Sequence, residues 1–280
     1  MIGLGSNRLT IARRGGMSVT QAGKGGMEWL GVRYPSWATP YSAAATAALV
    51  AQFPTQWPTI RDYGFAHPEI VPWVNDNPLR WGYIIANYTA NLTTFLADYQ
   101  RCEYIQSTGT QYILHKGVNT NNDWNIEMDV CVVEYGASWT PLCINHYVGG
   151  VWIGAKAAQM VLRQYSGNDY ILFARPAAGE FFNLKVSSRS NAASYYINNE
   201  LKGSASNATF TFNAQQTNAL LSDKGGTNAK AKLAFYQSDE ECMVACYLKN
   251  GGTIGMYDFV TGTLKTNSGT GTFGKGADVN

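Results

Sequence analysis

From about residue 101 onward the sequence consists of short runs in which apolar and polar residues alternate, each bounded by Gly, Asn, Ser or Asp. Residues 125–130, 182–186 and 232–236 are three such runs. Because successive side chains of a strand point to opposite faces, each run predicts a half-buried β-strand. The Asn198–Asn199 pair between two runs predicts a two-residue hairpin turn. Roughly 180 residues of this texture predict a two-sheet jelly-roll β-sandwich over residues 99–280.

Composition narrows the class of protein further. The 280 residues carry a net charge of +2, and 45% are hydrophobic, 13% aromatic and 14% charged. Enough apolar surface is therefore present for a core, and a chain disordered throughout is excluded. The near-neutral balance argues against nucleic acid as a partner. No apolar run reaches the ~18 residues of a membrane helix, so no membrane partner is expected.

The cysteines and the N-terminus indicate a reducing compartment. Five cysteines occur without a CxxC pair, only three histidines accompany them, and the first residues lack a signal-peptide pattern. We therefore expect buried free thiols, no metal or other cofactor, and synthesis in a cytoplasm.

Two unusual regions precede the strand-rich part. Residues 1–33 hold eight glycines and five basic residues against one acid, which suits either a disordered tail or an arm that orders on a partner. Residues 34–80 contain seven of the nine prolines. Prolines at this density prevent long helices. We therefore predict one short Ala-rich helix at 41–52 in an otherwise irregular chain wrapped over a neighbouring surface. The residues predicted to anchor the arm are Arg8, Arg13, Arg14 and Trp29.

A longer helix is predicted from Asn77 to about Tyr99. Asn77 is a capping residue, and Pro78 suits the first helical position. Apolar residues then recur at steps of three and four, which is the spacing of one helix face. This stripe either packs on the next domain of the same chain or forms a homo-oligomer, for which we predict a trimer. Its predicted interface residues are Trp81, Ile84, Ile85, Tyr88, Leu92, Phe95 and Leu96.

Two stretches at the edges of the strand-rich region share a further pattern. The first reads YQRCEYIQSTGTQYI over residues 99–113, and the second reads IGMYDFVTG over 254–262 followed by TNSGTGTF over 266–273. They resemble the opening and closing signatures of laminin-G-like, concanavalin-type jelly-roll modules of phages and gut-bacterial surface proteins. The resemblance implies that the two ends lie close together, with Tyr104, Ile105, Tyr112 and Ile113 in one early strand. It also implies that turns at 257–258 and 267–269 close the last hairpin.

Many laminin-G-like modules hold calcium through loop carboxylates. Here Asp123 is the lone acid in the corresponding Asn- and Gly-rich loops, so no metal is carried over. Members of this group are mostly adhesion or binding modules.

An enzymatic alternative exists on the same fold. Laminarinase-like glycoside hydrolases carry Glu-x-Asp-x-x-Glu on one strand, and this chain has Glu127 and Asp129 at the first two acids. Val132 stands at the third acid, and Glu134 lies on the opposite strand face unless a bulge intervenes. Cys143 and His146 form a second possible reactive pair, but no oxyanion-hole sequence accompanies them. We therefore expect no enzymatic activity.

The remaining interpretation is binding. Trp139, His146, Tyr147 and Trp152 cluster around a Gly-rich turn. Loop aromatics of this kind can stack on sugar rings, but strand alternation favours a place in the core for Trp152.

These observations lead to one expectation for the whole chain. Residues 1–98 would anchor it through contacts of residues 1–80 with other virion proteins, and residues 99–280 would bind host or mucosal glycans. The expected protein is a phage virion component assembled in the host cytoplasm: a head fibre, capsid decoration or tail-fibre adhesin. The alternatives are a polysaccharide hydrolase of the same fold and a bacterial surface lectin.

Overall fold

A computed structural model describes residues 27–29, 32–34, 38–116, 123–145, 150–164, 169–206, 210, 218–223 and 226–280. The chain divides into two compact units. The first extends to Thr89 and includes Asn280, and the second runs from Ala90 to Val279. A two-stranded antiparallel hairpin, β1 (Met27–Trp29) with β2 (Val32–Tyr34), precedes the helices.

The helices follow from capping and proline chemistry. They are α1 (Ala43–Gln52), α2 (Trp57–Ala66), a 3-10 turn (Pro68–Ile70), α3 (Val71–Asp76) and α4 (Pro78–Asp98). The predicted Ala-rich helix is confirmed as α1, and the Ser42 hydroxyl accepts from the Ala45 N–H at its start.

The prediction of an irregular chain between α1 and α4 was wrong. Prolines stand in the first turns of α2, of the 3-10 turn and of α3. Because the first-turn N–H groups have no partner within a helix, a proline there costs no hydrogen bond and presets φ. The dense prolines therefore start short helices instead of preventing them. Trp73 and Trp81 pack together with ring centroids 4.9 Å apart.

Helix α4 begins as predicted, because the Asn77 Oδ1 accepts from the Arg80 N–H at 3.2 Å. It is not continuous, since Tyr88 leaves helical geometry at φ −134° and ψ 34°. Next to this kink the Asn87 amide donates to the Tyr83 carbonyl and the Thr89 hydroxyl to the Ile85 carbonyl. Side chains that bond back to carbonyls four residues earlier bend helices.

The second unit is built of antiparallel strands, and the predicted sandwich is confirmed. The described strands form one sheet of six, in the order β10-β9-β8-β7-β14-β5, and a larger one of eleven. The larger sheet runs β13-β12-β11-β6-β15-β16-β17-β18, with β4 and β19 beside β15 and β3 beside β16. The bounds of the strands in chain order are β3 (Tyr99–Arg101), β4 (Ile105–Thr108), β5 (Ile113–His115), β6 (Trp124–Glu134), β7 (Thr140–Asn145), β8 (Val151–Lys156), β9 (Gln159–Gln164), β10 (Asp169–Ala174), β11 (Phe181–Arg189), β12 (Ala192–Ile197), β13 (Glu200–Ala205), β14 (Asn218–Leu220), β15 (Lys230–Ser238), β16 (Cys242–Leu248), β17 (Ile254–Asp258), β18 (Thr263–Thr266) and β19 (Gly274–Lys275).

Alternation places one face of each sheet in a shared core. Ile126, Met128 and Val130 of β6 meet Val151 and Ile153 of β8 in one apolar cluster. The predicted Asn–Asn turn joins β12 to β13, with Asn198 and Asn199 at φ 52° and 64°. Two consecutive positive φ values identify the hairpin turn whose twist matches the strands. The five cysteines are free and buried, as predicted.

The two ends of the sandwich lie side by side, as the resemblance implied. β19 pairs with β4, and the Tyr112 carbonyl accepts from the Ser268 N–H at 2.9 Å. The implied single early strand was wrong, because Ile105 lies in the larger sheet and Ile113 in the smaller one. Ser107 and Gln111 bond to each other across the intervening turn, where the chain changes sheets.

The last hairpin also differs from expectation. The Asp258 carboxylate accepts from Cys242 N, Val260 N and the Thr261 hydroxyl, which holds the turn between β17 and β18 just after the predicted position. The second predicted turn, at 267–269, instead links the two ends of the sandwich, because Asn267 Oδ1 accepts a hydrogen bond from the Tyr112 N–H.

Candidate functional site

The outer face of the larger sheet changes character across its strands. Over β16 and β17 it is apolar and covered by the end of α4, where Phe95 packs 5.2 Å from Tyr257 and 5.3 Å from Phe259 between ring centroids. Over β6, β11 and β12 most of the outward side chains are polar and half-buried or exposed, and the exposed Phe181 stands at the start of β11. We call this second surface the polar face, and its residues are Asn125, Glu127, Asp129, Asn183, Lys185, Ser187, Arg189, Tyr196 and Asn199.

Two carboxylates meet near the middle of the polar face. Glu127 and Asp129 point outward from β6, and the Asn183 amide donates to both, at 3.0 Å to Glu127 Oε1 and 2.7 Å to Asp129 Oδ1. The Asn183 backbone N–H donates to Asn198 Oδ1 in the β12–β13 turn. The β6–β11 register and the β12–β13 turn thus fix the position of Asn183. The prediction that Glu127 and Asp129 share one strand face is confirmed.

An open pocket of about 390 Å³ lies beside these acids. It is lined by Asn125, Lys185, Ser187, Arg189, Tyr196 and Asn199. Lys185 stands between Glu127 and Tyr196 in the cross-strand register. Arg189 donates one hydrogen bond to the Ser188 carbonyl, and Asn125 donates to Asp239. The pocket lining therefore combines two cations, three neutral polar groups and one aromatic ring.

The described residues include only two of the four aromatic residues predicted to bind a sugar. Trp139 and Trp152 lie together with ring centroids 6.0 Å apart and planes tilted by 40°, a contact that we call the indole pair. The interpretation of Trp152 as a core residue was wrong, because its neighbours Val151 and Ile153 point inward and Trp152 is half-buried on the other face. His146 and Tyr147 lie outside the described residues.

The backbone at Gly154 brings Trp139 close to the smaller sheet. A Cβ at this position would lie 2.9 Å from a Trp139 ring carbon and 2.3 Å from the Thr140 carbonyl oxygen. The Trp139 Nε1 is buried and has no hydrogen-bond acceptor among the described residues. The indole pair therefore packs against the sheet with this polar atom turned away from solvent.

Cys143 contacts a different histidine from the one that the sequence suggested. Its Sγ lies 4.0 Å from His115 Nε2, and His115 Nδ1 lies 3.2 Å from both Glu241 Oε2 and the Tyr236 hydroxyl. We call these four residues the buried histidine cluster. Burial raises the pKa of Tyr236 well above its usual range. The side chains of His115 and Glu241 have no exposed surface, so no substrate reaches them in this conformation.

Most of the apolar stripe of α4 is buried by other residues of the same chain. Trp81, Ile84, Ile85, Leu92 and Phe95 are each at most 2% exposed, whereas Tyr88 and Leu96 are half-buried. The five buried side chains are therefore not available to a second copy in this conformation. The trimer stays a prediction.

The predicted anchor residues lie almost wholly outside the described part of the chain. Arg8, Arg13 and Arg14 lie outside the described residues, as does the side chain of Trp29, whose backbone belongs to β1. Within the described ranges no three His, Cys, Asp or Glu side chains are grouped to hold a metal ion. None of the described helices has the length and apolar character needed to cross a membrane.

Sequence reasoning did not single out the polar face. Its signal is the alternation of Asn183, Lys185, Ser187 and Arg189 along one strand. That alternation predicts which residues point outward, but not that Tyr196 and Asn125 flank them, because pairing of β6, β11 and β12 is a property of the fold.

No protein-family model and no curated protein matches the chain. Many solved structures resemble the chain, among them the following three. Domain 4 of AbnA, a GH43 extracellular arabinanase from Geobacillus stearothermophilus solved with arabinotriose, has a TM-score of 0.38 at 18% identity, covering 46% of this chain and 65% of that one. Carbohydrate binding module CBM66 from Bacillus subtilis has a TM-score of 0.35 at 13% identity, covering 49% and 96%. A Bacteroides ovatus protein with a proposed role in carbohydrate binding has a TM-score of 0.48 at 11% identity, covering 65% and 62%. These similarities are too low to transfer a ligand or an activity.

Proposed function

We propose that the sandwich is a binding module for a saccharide, held at the pocket of the polar face. The observation that carries the proposal is the composition of that pocket, where an aromatic ring, Tyr196, stands among the amides of Asn125 and Asn199 and the hydroxyl of Ser187. A sugar offers an apolar ring face and many hydroxyl groups. Aromatic side chains stack on the first, and amides and hydroxyls bond to the second.

The polar face suits this role better than the indole pair does. Its polar groups are exposed or half-buried around an open pocket, whereas the Trp139 Nε1 is buried against the protein. A sugar at the indole pair would meet ring surface without that donor. We therefore place the binding site on β6, β11 and β12.

We further propose that the module belongs to a phage particle. In this scheme residues 1–80 contact other virion proteins, as part of a head fibre, capsid decoration or tail adhesin. The support is the resemblance of residues 99–113 and 254–273 to the ends of laminin-G-like modules. Association into a trimer would add avidity to a weak site, because linked sites bind at high effective concentration.

A second candidate function is hydrolysis of a glycosidic bond. It is favoured by Glu127 and Asp129, which share an open face and one bridging amide. A retaining hydrolase needs two carboxyl groups about 5 Å apart, one as nucleophile and one as acid.

Native gel electrophoresis through immobilised polysaccharides tests the binding proposal. Neutral and acidic polymers are screened with the full chain, with Tyr196→Ala and with the matched control Trp152→Ala. We expect retardation in at least one polymer, its loss in Tyr196→Ala and its retention in Trp152→Ala. Retardation that only Trp152→Ala abolishes would move the site to the indole pair. Absence of retardation in all polymers would refute the binding function.

A further inference from the structure

We propose that the saccharide bound at the polar face is acidic, and that its anionic group is held above Ser187 between Lys185 and Arg189. The inference rests on the proposed binding function and names its ligand class. The anionic group is a carboxylate, as in a uronic acid, or a sulfate ester. Both present oxygens that accept hydrogen bonds from ammonium and guanidinium groups.

The first argument is the position of the two cations. Lys185, Ser187 and Arg189 point to the same side of β11 and all line the pocket. The Cα atoms of Lys185 and Arg189 are about 13 Å apart at the usual rise of a strand. Both side chains are long and flexible, so their charged ends can converge on a group above the intervening Ser187.

The second argument is unused donor capacity. The Lys185 ammonium has no hydrogen bond or ion pair with any other described residue. Arg189 donates to the neighbouring Ser188 carbonyl, and a guanidinium has five N–H groups. Most of the donors of these two cations are therefore free for an acceptor-rich ligand.

The third argument concerns three acids nearby, each of which accepts a hydrogen bond from an asparagine. Glu127 and Asp129 accept from Asn183, and Asp239 accepts from the backbone and side chain of Asn125. None of the three lines the pocket. Glu127 is the cross-strand neighbour of Lys185 and Asp129 lies beyond it, so the anionic group fits at the Ser187–Arg189 end. The acids at that end are Asp239, which Arg189 attracts, and Asp123, which accepts from the Ser190 N–H at 2.7 Å, and neither of them lines the pocket.

The test uses two matched pairs of polymers that differ only in charge. One pair is polygalacturonate and its fully methyl-esterified form, and the other is dextran sulfate and dextran. Affinity of the full chain for each is measured by native gel retardation and calorimetry at physiological salt. The variants are Lys185→Gln, Arg189→Gln and the control Lys156→Gln, which removes an exposed charge from the smaller sheet.

We expect the charged member of at least one pair to bind, and its uncharged partner to bind about tenfold more weakly or not at all. Lys185→Gln and Arg189→Gln should each weaken that binding by about tenfold, whereas Lys156→Gln should leave it unchanged. Selective binding of polygalacturonate identifies a carboxylate, and selective binding of dextran sulfate identifies a sulfate.

Three results would overturn the inference. Equal binding of charged and uncharged partners that is lost in Tyr196→Ala would leave the saccharide site intact and remove its acidic ligand. An equal loss in Lys156→Gln would show general attraction between polyelectrolytes. Binding of a charged polymer that survives both Lys185→Gln and Arg189→Gln would place the anionic group elsewhere. If no polymer binds, the proposed function itself fails.

Discussion

Glu241 is the clearest case of a single residue whose environment sets its chemistry. Its Oε2 accepts from the Lys116 N–H at 2.8 Å and lies 3.2 Å from His115 Nδ1, and Lys265 Nζ stands 3.7 Å from its Oε1. Burial alone raises the pKa of this carboxyl. Hydrogen bonding and attraction by His115, the Lys116 N–H and the Lys265 charge outweigh it, so that the pKa is lowered. The ionised form is therefore part of the folded core.

This environment predicts the direction of acid sensitivity. A carboxyl whose pKa is lower in the folded than in the unfolded chain stabilises the fold above its ordinary value of 4.5, and that contribution is lost as the pH falls through the folded value. Glu241→Gln should lower the free energy of unfolding by about 3 kcal/mol near neutral pH, because it leaves the partners of a buried charge unsatisfied. It should also flatten the decline of stability below about pH 5.

Urea unfolding at several pH values measures both effects. The matched control is Glu240→Gln, since the Glu240 side chain is 44% exposed and contacts only the Lys116 ammonium, at 3.8 Å, among the ion pairs described. The control should follow the unsubstituted chain closely. An acid decline in Glu241→Gln as steep as in the unsubstituted chain would show that other groups carry the pH dependence.

The same residues show what sequence reasoning can reach at this scale. Buried free thiols followed from composition, and Cys143 is such a thiol. Its contact with His115 did not follow, because the partners are 28 positions apart, and Glu241 is 126 positions from His115. Proximity in sequence favoured His146, whereas strand pairing decides which side chains meet in the core.

At the scale of single elements, β6 departs from regular pairing at its end. Val132 is opposite Ala231 while Glu134 is opposite Lys230, so β6 has one extra residue at Val133. The bulge that the sequence left open as a way for Glu134 to leave the opposite face is therefore present. The bulge places Glu134 beside Lys230, whose Nζ lies 2.6 Å from its carboxylate. Glu134 is thus paired with a lysine, and Val132 is buried in the core.

This geometry predicts the outcome of a hydrolysis assay. Incubation of the chain with a β-glucan or a host capsular polysaccharide should release no reducing ends, because Val132 replaces the third acid of the hydrolase pattern and Glu134 lies about 16 Å along the strand from Asp129. Glu127→Gln and Glu134→Gln are the companion variants. Release of reducing ends that either variant abolishes would establish hydrolysis and reverse our expectation.

Helix α4 also shows which local features the sequence can predict and which it cannot. The start of α4 could be predicted, because an Asn cap and a proline act locally. Its kink at Tyr88 could not, since the apolar residues recur at steps of three and four on both sides of Tyr88 and predict an unbroken helix. The bonds of Asn87 and Thr89 to carbonyls four residues earlier become visible only in the folded chain.

At the scale of the whole molecule, the kink coincides with the boundary between the two compact units. The end of α4 belongs to the sandwich, because Asn91 donates to the Phe259 carbonyl and accepts at its backbone oxygen from the Tyr257 hydroxyl. Lys249 Nζ donates to the carbonyls of Leu96 and Ala97 at the end of the helix. The sandwich as a folding unit therefore begins before residue 99.

This boundary predicts that a fragment of residues 90–280 folds alone into a β-sandwich and is more stable than a fragment of residues 99–280. Leu92 and Phe95 are fully buried, and burying such a side chain contributes roughly 1.5–3 kcal/mol. The shorter fragment loses both and uncovers the rings of Tyr257 and Phe259, so its free energy of unfolding should be lower by about 3 kcal/mol or more. Circular dichroism checks the strand content of each fragment, and urea unfolding compares their stabilities.

Leu92→Asp in the longer fragment is the control, and it should reduce stability toward that of the shorter one without changing the mass measured by light scattering. Equal stability of the two fragments would show that the helix end adds nothing to the sandwich. A fall in mass on Leu92→Asp would instead return the stripe to the role of an oligomer interface.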